Sequence, residues 1–294
     1  MPVLKGRLGL ETARVPHADR NGIMWLGRGN LYVEDGTLRF VTAGYEDLKA
    51  GDYAIPFQTT SCILIEPGVT ISHDTLRILA RHGTGLVVVG EGGVRHYASM
   101  PFGPDRSARA RRQALLWASK DDRVAIVRRM YAWRLGDVLP VTDLTALRGI
   151  EGAKVKRSYE LMAQRYGLVW RGRRYDRDDP EADDLPNTAL NHASAALRAA
   201  AMVAVAISGA IPQLGFIHED SGIAFALDIA DLFRESVMLP IAFGAVAQSH
   251  EQGFNLEQTV RRSAALEFRK TKLIPQMVDR IKALFDVNDD SSDS

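Results

Sequence analysis

The chain has 294 residues, of which 46% are hydrophobic and 25% charged; this is the composition of a globular protein of about two domains and excludes disorder as its main state. The formal net charge is +1, and the single cysteine, Cys62, excludes an internal disulfide and a cysteine-based metal site. The longest apolar run, Ala199 to Ile207, holds nine residues, against the ~18 or more of a membrane span, and the first residues lack a secretory apolar core; the expected compartment is the cytoplasm, with no membrane partner.

Up to about residue 100 the pattern is one of short strands. Ile23–Trp25 and Leu31–Val33 lead to Asp35-Gly36, a hairpin signal, and Leu38–Val41 returns. Tyr53–Phe57 and Cys62–Ile65 read as further strands, the second closed by a turn at Glu66-Pro67-Gly68. Ser72 caps one short helix, Asp74–Arg81, which ends at Gly83. Leu86–Val89 and Val94–Ala98 are strands separated by Gly90-Glu91-Gly92-Gly93. Those glycines precede a strand rather than a helix, so they are turns and not a dinucleotide fingerprint.

Pro101, Gly103 and Pro104 mark a linker, placed at 101–106, and beyond it the periodicity is helical. Ser119 and Asp122 resemble a capping box opening a helix that Gly136 stops. Further helices are expected at about Arg148–Tyr166, Ala189–Ser208, Ile223–Phe233, Leu239–Gln248, Glu257–Lys272 and Pro275–Phe285. The expected fold class is therefore α+β: an N-terminal β-rich domain over 1–100, with strands and one short helix, and a larger all-α C-terminal domain over 107–285. The last nine residues, 286–294, carry four Asp and no base and read as an acidic, disordered tail.

The near-neutral total hides local excess. Between Arg95 and Arg134 nine Arg and one Lys face three Asp, and between Arg148 and Arg177 nine bases face three acids. Only eight of the 37 basic residues are Lys; an arginine bias suits bidentate contact with phosphate, and it equally suits a solvated surface.

Asp228 and Asp231 stand at i and i+3 among Phe225, Leu227, Ile229, Leu232 and Phe233, which puts both carboxylates on one face of an otherwise apolar helix. Carboxylates beside an apolar stripe need a compensating cation or donor. His218, ten residues before Asp228, is positioned by a loop to add an imidazole. A carboxylate–imidazole set without thiolate fits Mg2+ or Mn2+. In a second reading, the two acids face solvent or pair with Arg234 and His218 is a satisfied loop histidine. Glu151, between Gly149 and Gly152 in a basic stretch, is either a further ligand or a first-turn acid favoured by the helix dipole.

Taken together, these segments resemble the CRISPR-associated integrase of spacer acquisition, also described as the endonuclease of the adaptation module, and most closely its type I-E branch. The segments are His17-Ala18-Asp19-Arg20, Leu64-Ile65-Glu66-Pro67-Gly68, Ser72-His73 and Gly90 through Ala98, then Leu147 through Gly152, Gly172 through Asp176, Asn187 with Asn191, Gly215 through His218 and Asp228 through Asp231. They span about residue 4 to residue 285 in matching order and spacing.

The resemblance implies that Glu151, His218 and Asp231 are the metal ligands, with Asp228 an accessory acid, all four being catalytic. It implies a metal-dependent transesterification in which the 3′-hydroxyl of a foreign double-stranded DNA fragment attacks a phosphodiester at a CRISPR repeat boundary. The implied assembly is a homodimer, two of which flank a small ferredoxin-like partner subunit in dimeric form. Arg95, Arg148, Arg173, Tyr175, Arg234, Arg261 and Arg269 are candidates for DNA contact. Three positions depart from type I-E relatives: Arg28 where a fragment-splaying tyrosine is expected, Ser221 for a lysine and Arg198 for a tyrosine. A metal-dependent nuclease acting on branched or single-stranded DNA in repair or trimming is the alternative enzyme, and a DNA-binding scaffold with structural acids is the non-enzymatic one.

Overall fold

The computed structural model describes residues 21–45, 48–99, 107–136, 144–173, 184–252 and 255–285. They fall into two compact units.

The first unit is strand-rich. β1 (Asn21–Leu26), β2 (Gly29–Glu34) and β3 (Thr37–Thr42) open it. The Asp35-Gly36 turn between β2 and β3 has φ of 49° and 77°, the positive pair that a two-residue hairpin requires. β4 (Gly51–Ala54) ends earlier than the apolar run through Phe57 suggests: Ile55 N–H still reaches Leu38 O, but Pro56 has no N–H to continue the ladder and Phe57 N–H turns back onto Ile55 O. β5 (Thr60–Ile65) is followed by β6 (Val69–Ile71), a strand the sequence does not signal. Helix α1 (His73–His82) is capped by Ser72, whose hydroxyl accepts from Thr75 N, and stops at Gly83 with φ 65°. β7 (Gly85–Val89) and β8 (His96–Ser99) complete the set.

Two four-stranded sheets result, ordered β1-β5-β7-β8 and β4-β3-β2-β6. β5 pairs in parallel with both β1 and β7, and its six residues are all buried, as a near-continuous apolar strand covered on both faces should be. Leu26, Ile63, Ile65 and Leu86 from one sheet and Leu31, Leu38 and Phe40 from the other share one core with Leu79 of α1.

The second unit is helical and also takes in Gly90–His96. That segment, expected within the strand domain, forms a 3-10 turn at Glu91–Gly93 that packs on the helices. Gly92 has φ +64°, and a Cβ there would stand 2.3 Å from Ala265 Cβ. The remaining elements are α2 (Ser107–Ala118), α3 (Lys120–Leu135), α4 (Leu144–Arg165), α5 (Leu185–Ser208), α6 (Ala224–Asp231), a π-helical turn (Arg234–Met238), α7 (Leu239–Gln252), α8 (Leu256–Thr271) and α9 (Leu273–Phe285). The architecture is thus α+β, strand-rich first and helical second. The linker at 101–106, the tail at 286–294, Tyr175 and the His17–Arg20 segment lie outside the described residues.

Helix α5 organises this unit. Asp184 caps its start and Gly209 its end, while the Arg109 guanidinium donates to Ser208 O in the last turn. By length and composition α5 is apolar enough to cross a membrane, yet 61% of that stretch is buried inside the unit. Its alanines let α6, α7, α8 and α9 approach closely. α9 contributes Leu273, Ile274, Met277, Val278, Ile281, Leu284 and Phe285 to the core, the i, i+3/i+4 spacing of a packed face.

Replacing Gly92 by alanine forces both a strained φ and a clash with α8. Thermal unfolding is expected at a lower temperature, equivalent to about 1–3 kcal/mol; an unchanged melting temperature would show that the turn yields freely.

Candidate active site

Asp228, midway along α6, has no exposed surface, so its carboxylate must be paired within the protein. It accepts hydrogen bonds from the backbone N–H groups of Phe216 (2.5 Å), Ile217 (3.1 Å) and His218 (3.0 Å), and lies 2.7 Å from His218 Nδ1. A buried carboxylate only accepts, so Nδ1 carries the hydrogen, and in the neutral imidazole Nε2 is the lone-pair donor. Asp228 thereby fixes both the loop before α6 and the tautomer of His218. Its oxygens face this loop, and its place is behind the imidazole, as the residue that orients it.

The rest of the loop is clamped from α2 and α3. Gln113 Nε2 donates to Ile211 O and Leu214 O, each at 2.9 Å, and Gln113 Oε1 accepts from Ile211 N. Trp117 Nε1 donates to Gly215 O at 2.9 Å. Arg123 donates to Phe216 O through Nε (3.1 Å) and Nη2 (3.0 Å), pairs with Glu219 and stacks on the Trp117 ring. Below, the Phe216 ring is held against Phe225 and Phe285. Gly215 allows this closure, since a Cβ there would lie 2.2 Å from His218 O. None of Gln113, Trp117 or Arg123 is marked by the sequence, because their partners are backbone carbonyls almost a hundred residues away.

Asp231, one turn beyond Asp228, is 14% exposed and sits between two arginines. Arg234 Nη2 donates to its Oδ1, and Arg134 Nη1 lies 3.7 Å from its Oδ2. Arg134, 2% exposed, is itself held in bidentate fashion by Glu235, through Nε (3.1 Å to Oε2) and Nη2 (2.9 Å to Oε1). The Arg134–Glu235 pair bridges more than a hundred positions and has no local sequence signature. The sequence-based alternative holds for Asp231, which pairs with Arg234, and for His218, which is satisfied at Nδ1, but not for Asp228, which neither faces solvent nor pairs with Arg234.

Beside Arg234 opens a cleft of about 670 Å3 lined by Lys156, Tyr159, Trp170, Arg171, Arg173 and Met238, among others. Tyr159 and Trp170 stack with rings 5.3 Å apart and 9° from parallel. Burial raises the Tyr159 phenol above its ordinary range, opposed by Arg234 and Arg173, so the hydroxyl stays protonated at neutral pH.

The other sequence-derived candidates are dispersed. Glu151 and Arg148 lie on α4, with side chains outside the described residues. Arg173 lines the cleft and also donates to Asn187 (2.9 Å) and Asn191 (2.6 Å). Arg95 and Arg261 share Glu257 at 3.1 and 3.7 Å, and Arg269 lies in the last turn of α8. Arg28, in the strand-rich unit, has φ 52° and its guanidinium over the Tyr45 ring. Ser221 accepts from Ile223 N, and Arg198 is exposed on α5.

Among the described residues no three His, Cys, Asp or Glu side chains gather as a metal site. The two described donors, an imidazole oriented by a buried carboxylate and a partly exposed carboxylate, are of the kinds that hold a divalent ion, with the Asp231 charge meanwhile met by two guanidiniums.

Fold and site together define a two-domain α+β protein whose helical unit carries a carboxylate–imidazole centre beside a basic, aromatic-walled cleft. A family model described as CRISPR associated protein Cas1 matches residues 134–271. The chain is 35% identical to the CRISPR-associated endonuclease Cas1 of Geobacter sulfurreducens, over 91% of this chain and 85% of that one. It is 34% identical to the protein of the same name from Escherichia coli K12, over 91% and 86%. The structure of a TtCas1–DNA complex superposes with a TM-score of 0.82 at 31% identity, covering 91% of this chain and 97% of that one. A casposase bound to integration product shares the fold, with a TM-score of 0.60 at 16% identity. The chain belongs to the Cas1 family of CRISPR-associated proteins.

The Asp228 hydrogen bond raises the His218 pKa above its ordinary value, against burial, which lowers it. The stability this pair contributes is fully present below the unfolded histidine value near 6.5 and is lost as pH rises through the higher folded value. In the metal-free protein, NMR titration should place the His218 midpoint above that of an ordinary histidine. Asp228→Asn should lower that midpoint, remove the associated pH dependence of unfolding, and destabilise the fold by about 1–3 kcal/mol.

Proposed function

We propose that this chain is the integrase of a type I-E CRISPR adaptation module, inserting foreign DNA fragments as new spacers in the cytoplasm. The observation that carries this reading is the His218–Asp228 couple, which leaves Nε2 as the nitrogen not used by Asp228, with Asp231 one turn further along α6, in a chain of the Cas1 family. Glu151, His218 and Asp231 would hold Mg2+ or Mn2+, and Asp228 orients His218 from behind. When bound, the ion would lower the pKa of the attacking hydroxyl and neutralise charge at phosphorus.

The reaction is an exchange of phosphodiesters. The fragment's 3′-hydroxyl gives up its proton as its oxygen forms a new bond to a phosphorus at the repeat boundary, the repeat's own P–O3′ bond breaks, and the released 3′-oxygen takes up a proton, so no proton is gained or lost overall. Arg234, Lys156, Arg171 and Arg173 line the cleft where a DNA strand would lie, and Tyr159 and Trp170 offer it an aromatic wall. Arg95, Arg148, Tyr175, Arg261 and Arg269 are proposed as further backbone contacts, which fix position without reading sequence. The proposed assembly is a homodimer acting with a small ferredoxin-like partner subunit on double-stranded DNA. A second reading, trimming or repair of branched or single-stranded DNA, is favoured by the endonuclease name of the curated relatives.

Strand transfer decides between them. A fragment with free 3′-hydroxyls, a repeat-bearing plasmid, the partner subunit and Mn2+ should give joined product. Glu151→Ala, His218→Ala and Asp231→Ala should each reduce it about 100-fold or more, the scale of losing several kcal/mol of charge stabilisation. Nicks without joined product would favour the nuclease, and full activity of His218→Ala would leave the site without its role.

A further inference from the structure

The two arginines on Asp231 are not equivalent. Arg134 is buried at 2% exposure, and Glu235 occupies its Nε and Nη2, so it is fixed and its charge is matched. Arg234 is 29% exposed, follows Asp231 by three residues and lines the cleft. After α6 ends at Asp231 a π-helical turn begins at Arg234, a local irregularity frequent at functional sites, and the neighbouring Arg234 and Glu235 meet Asp231 and Arg134 respectively.

We infer that Arg234 is an exchangeable place-holder for the divalent ion at Asp231, so that ion binding and DNA backbone binding are coupled through its side chain; this rests on the metal site proposed above. A guanidinium in contact with Asp231 neutralises the carboxylate while no ion is there, and its like charge opposes an incoming dication. Arg134 is enclosed at 2% exposure and cannot leave without giving up its bidentate pairing with Glu235. Arg234 can, because its arm borders an open cleft. Ion binding frees Arg234 from Asp231, and a DNA phosphate in the cleft gives its guanidinium a new anion. Each ligand removes an obstacle to the other, and by linkage the factor by which DNA tightens ion binding equals the factor by which the ion tightens DNA binding.

The test is calorimetric titration of the full chain with Mn2+, with and without a duplex whose 3′ ends are dideoxy-terminated so that no joining occurs. The wild type should bind Mn2+ about 10-fold more tightly when the duplex is present, within the usual range of such couplings. Arg234→Gln should bind Mn2+ more tightly than the wild type without DNA, and the duplex should add little further. Arg234→Lys, which keeps the charge, should restore the wild-type pattern, and thermal melting of both variants confirms the fold. Mn2+ binding that depends on His218 but is unchanged or weaker in Arg234→Gln overturns the place-holder and leaves the metal site standing. Wild-type Mn2+ binding that His218→Ala does not reduce overturns the site itself, and the place-holder with it.

Discussion

Asp228 is a fully buried carboxylate in the middle of an apolar helix, and the local structure is arranged to satisfy it. Three consecutive backbone N–H groups and an imidazole converge on two oxygens. Removing any of these donors would leave part of a charge unpaired in a medium that penalises it heavily. The carboxylate therefore determines where residues 216–218 run. The Phe216 backbone donates to Asp228 while its ring enters the cluster with Phe225 and Phe285, so the core and the site share one residue. From the opposite side, Gln113, Trp117 and Arg123 occupy the loop's carbonyls. An imidazole held this way presents one nitrogen in one direction, the preorganisation a ligand needs.

The neighbouring charges divide the remaining work by burial. The Arg134 side chain is almost inaccessible and is held by Glu235, itself 22% exposed, which fixes a positive charge close to Asp231 without leaving it unmatched. Asp231 is only partly covered, and Arg234 is the more accessible of its cations. A gradient from fixed to exchangeable partners thus runs from Arg134 to the cleft, and the acids differ in job because they differ in exposure: Asp228 orients a ligand, Asp231 is placed to be one.

Much of the fold was legible from local chemistry. The Asp35-Gly36 hairpin, the Ser72 and Ser119 caps and the glycine stops at 83 and 136 are decided within a few residues, and the structure shows them where the pattern puts them. What escaped depends on distant partners. β6 exists because three residues pair in parallel with β2, and 90–96 joins the helical unit because Gly92 fits against Ala265. In the site, the i, i+3 spacing placed Asp228 and Asp231 on one face, but not their different burial. Donors to Asp228 lie in a loop ten to twelve residues away, and Arg134 reaches Glu235 across the unit. The π turn after α6 leaves no compositional trace.

The central claim is that His218, oriented by Asp228, offers Nε2 to a divalent ion shared with Asp231. Pulsed electron paramagnetic resonance on the Mn2+-loaded chain, with histidine labelled by 15N, tests it most directly. The account predicts one coordinated imidazole nitrogen that disappears in His218→Ala and survives substitution of His192, a histidine on α5 outside the proposed site. A bound Mn2+ with no nitrogen in its coordination sphere, or one whose nitrogen persists in His218→Ala, would contradict it.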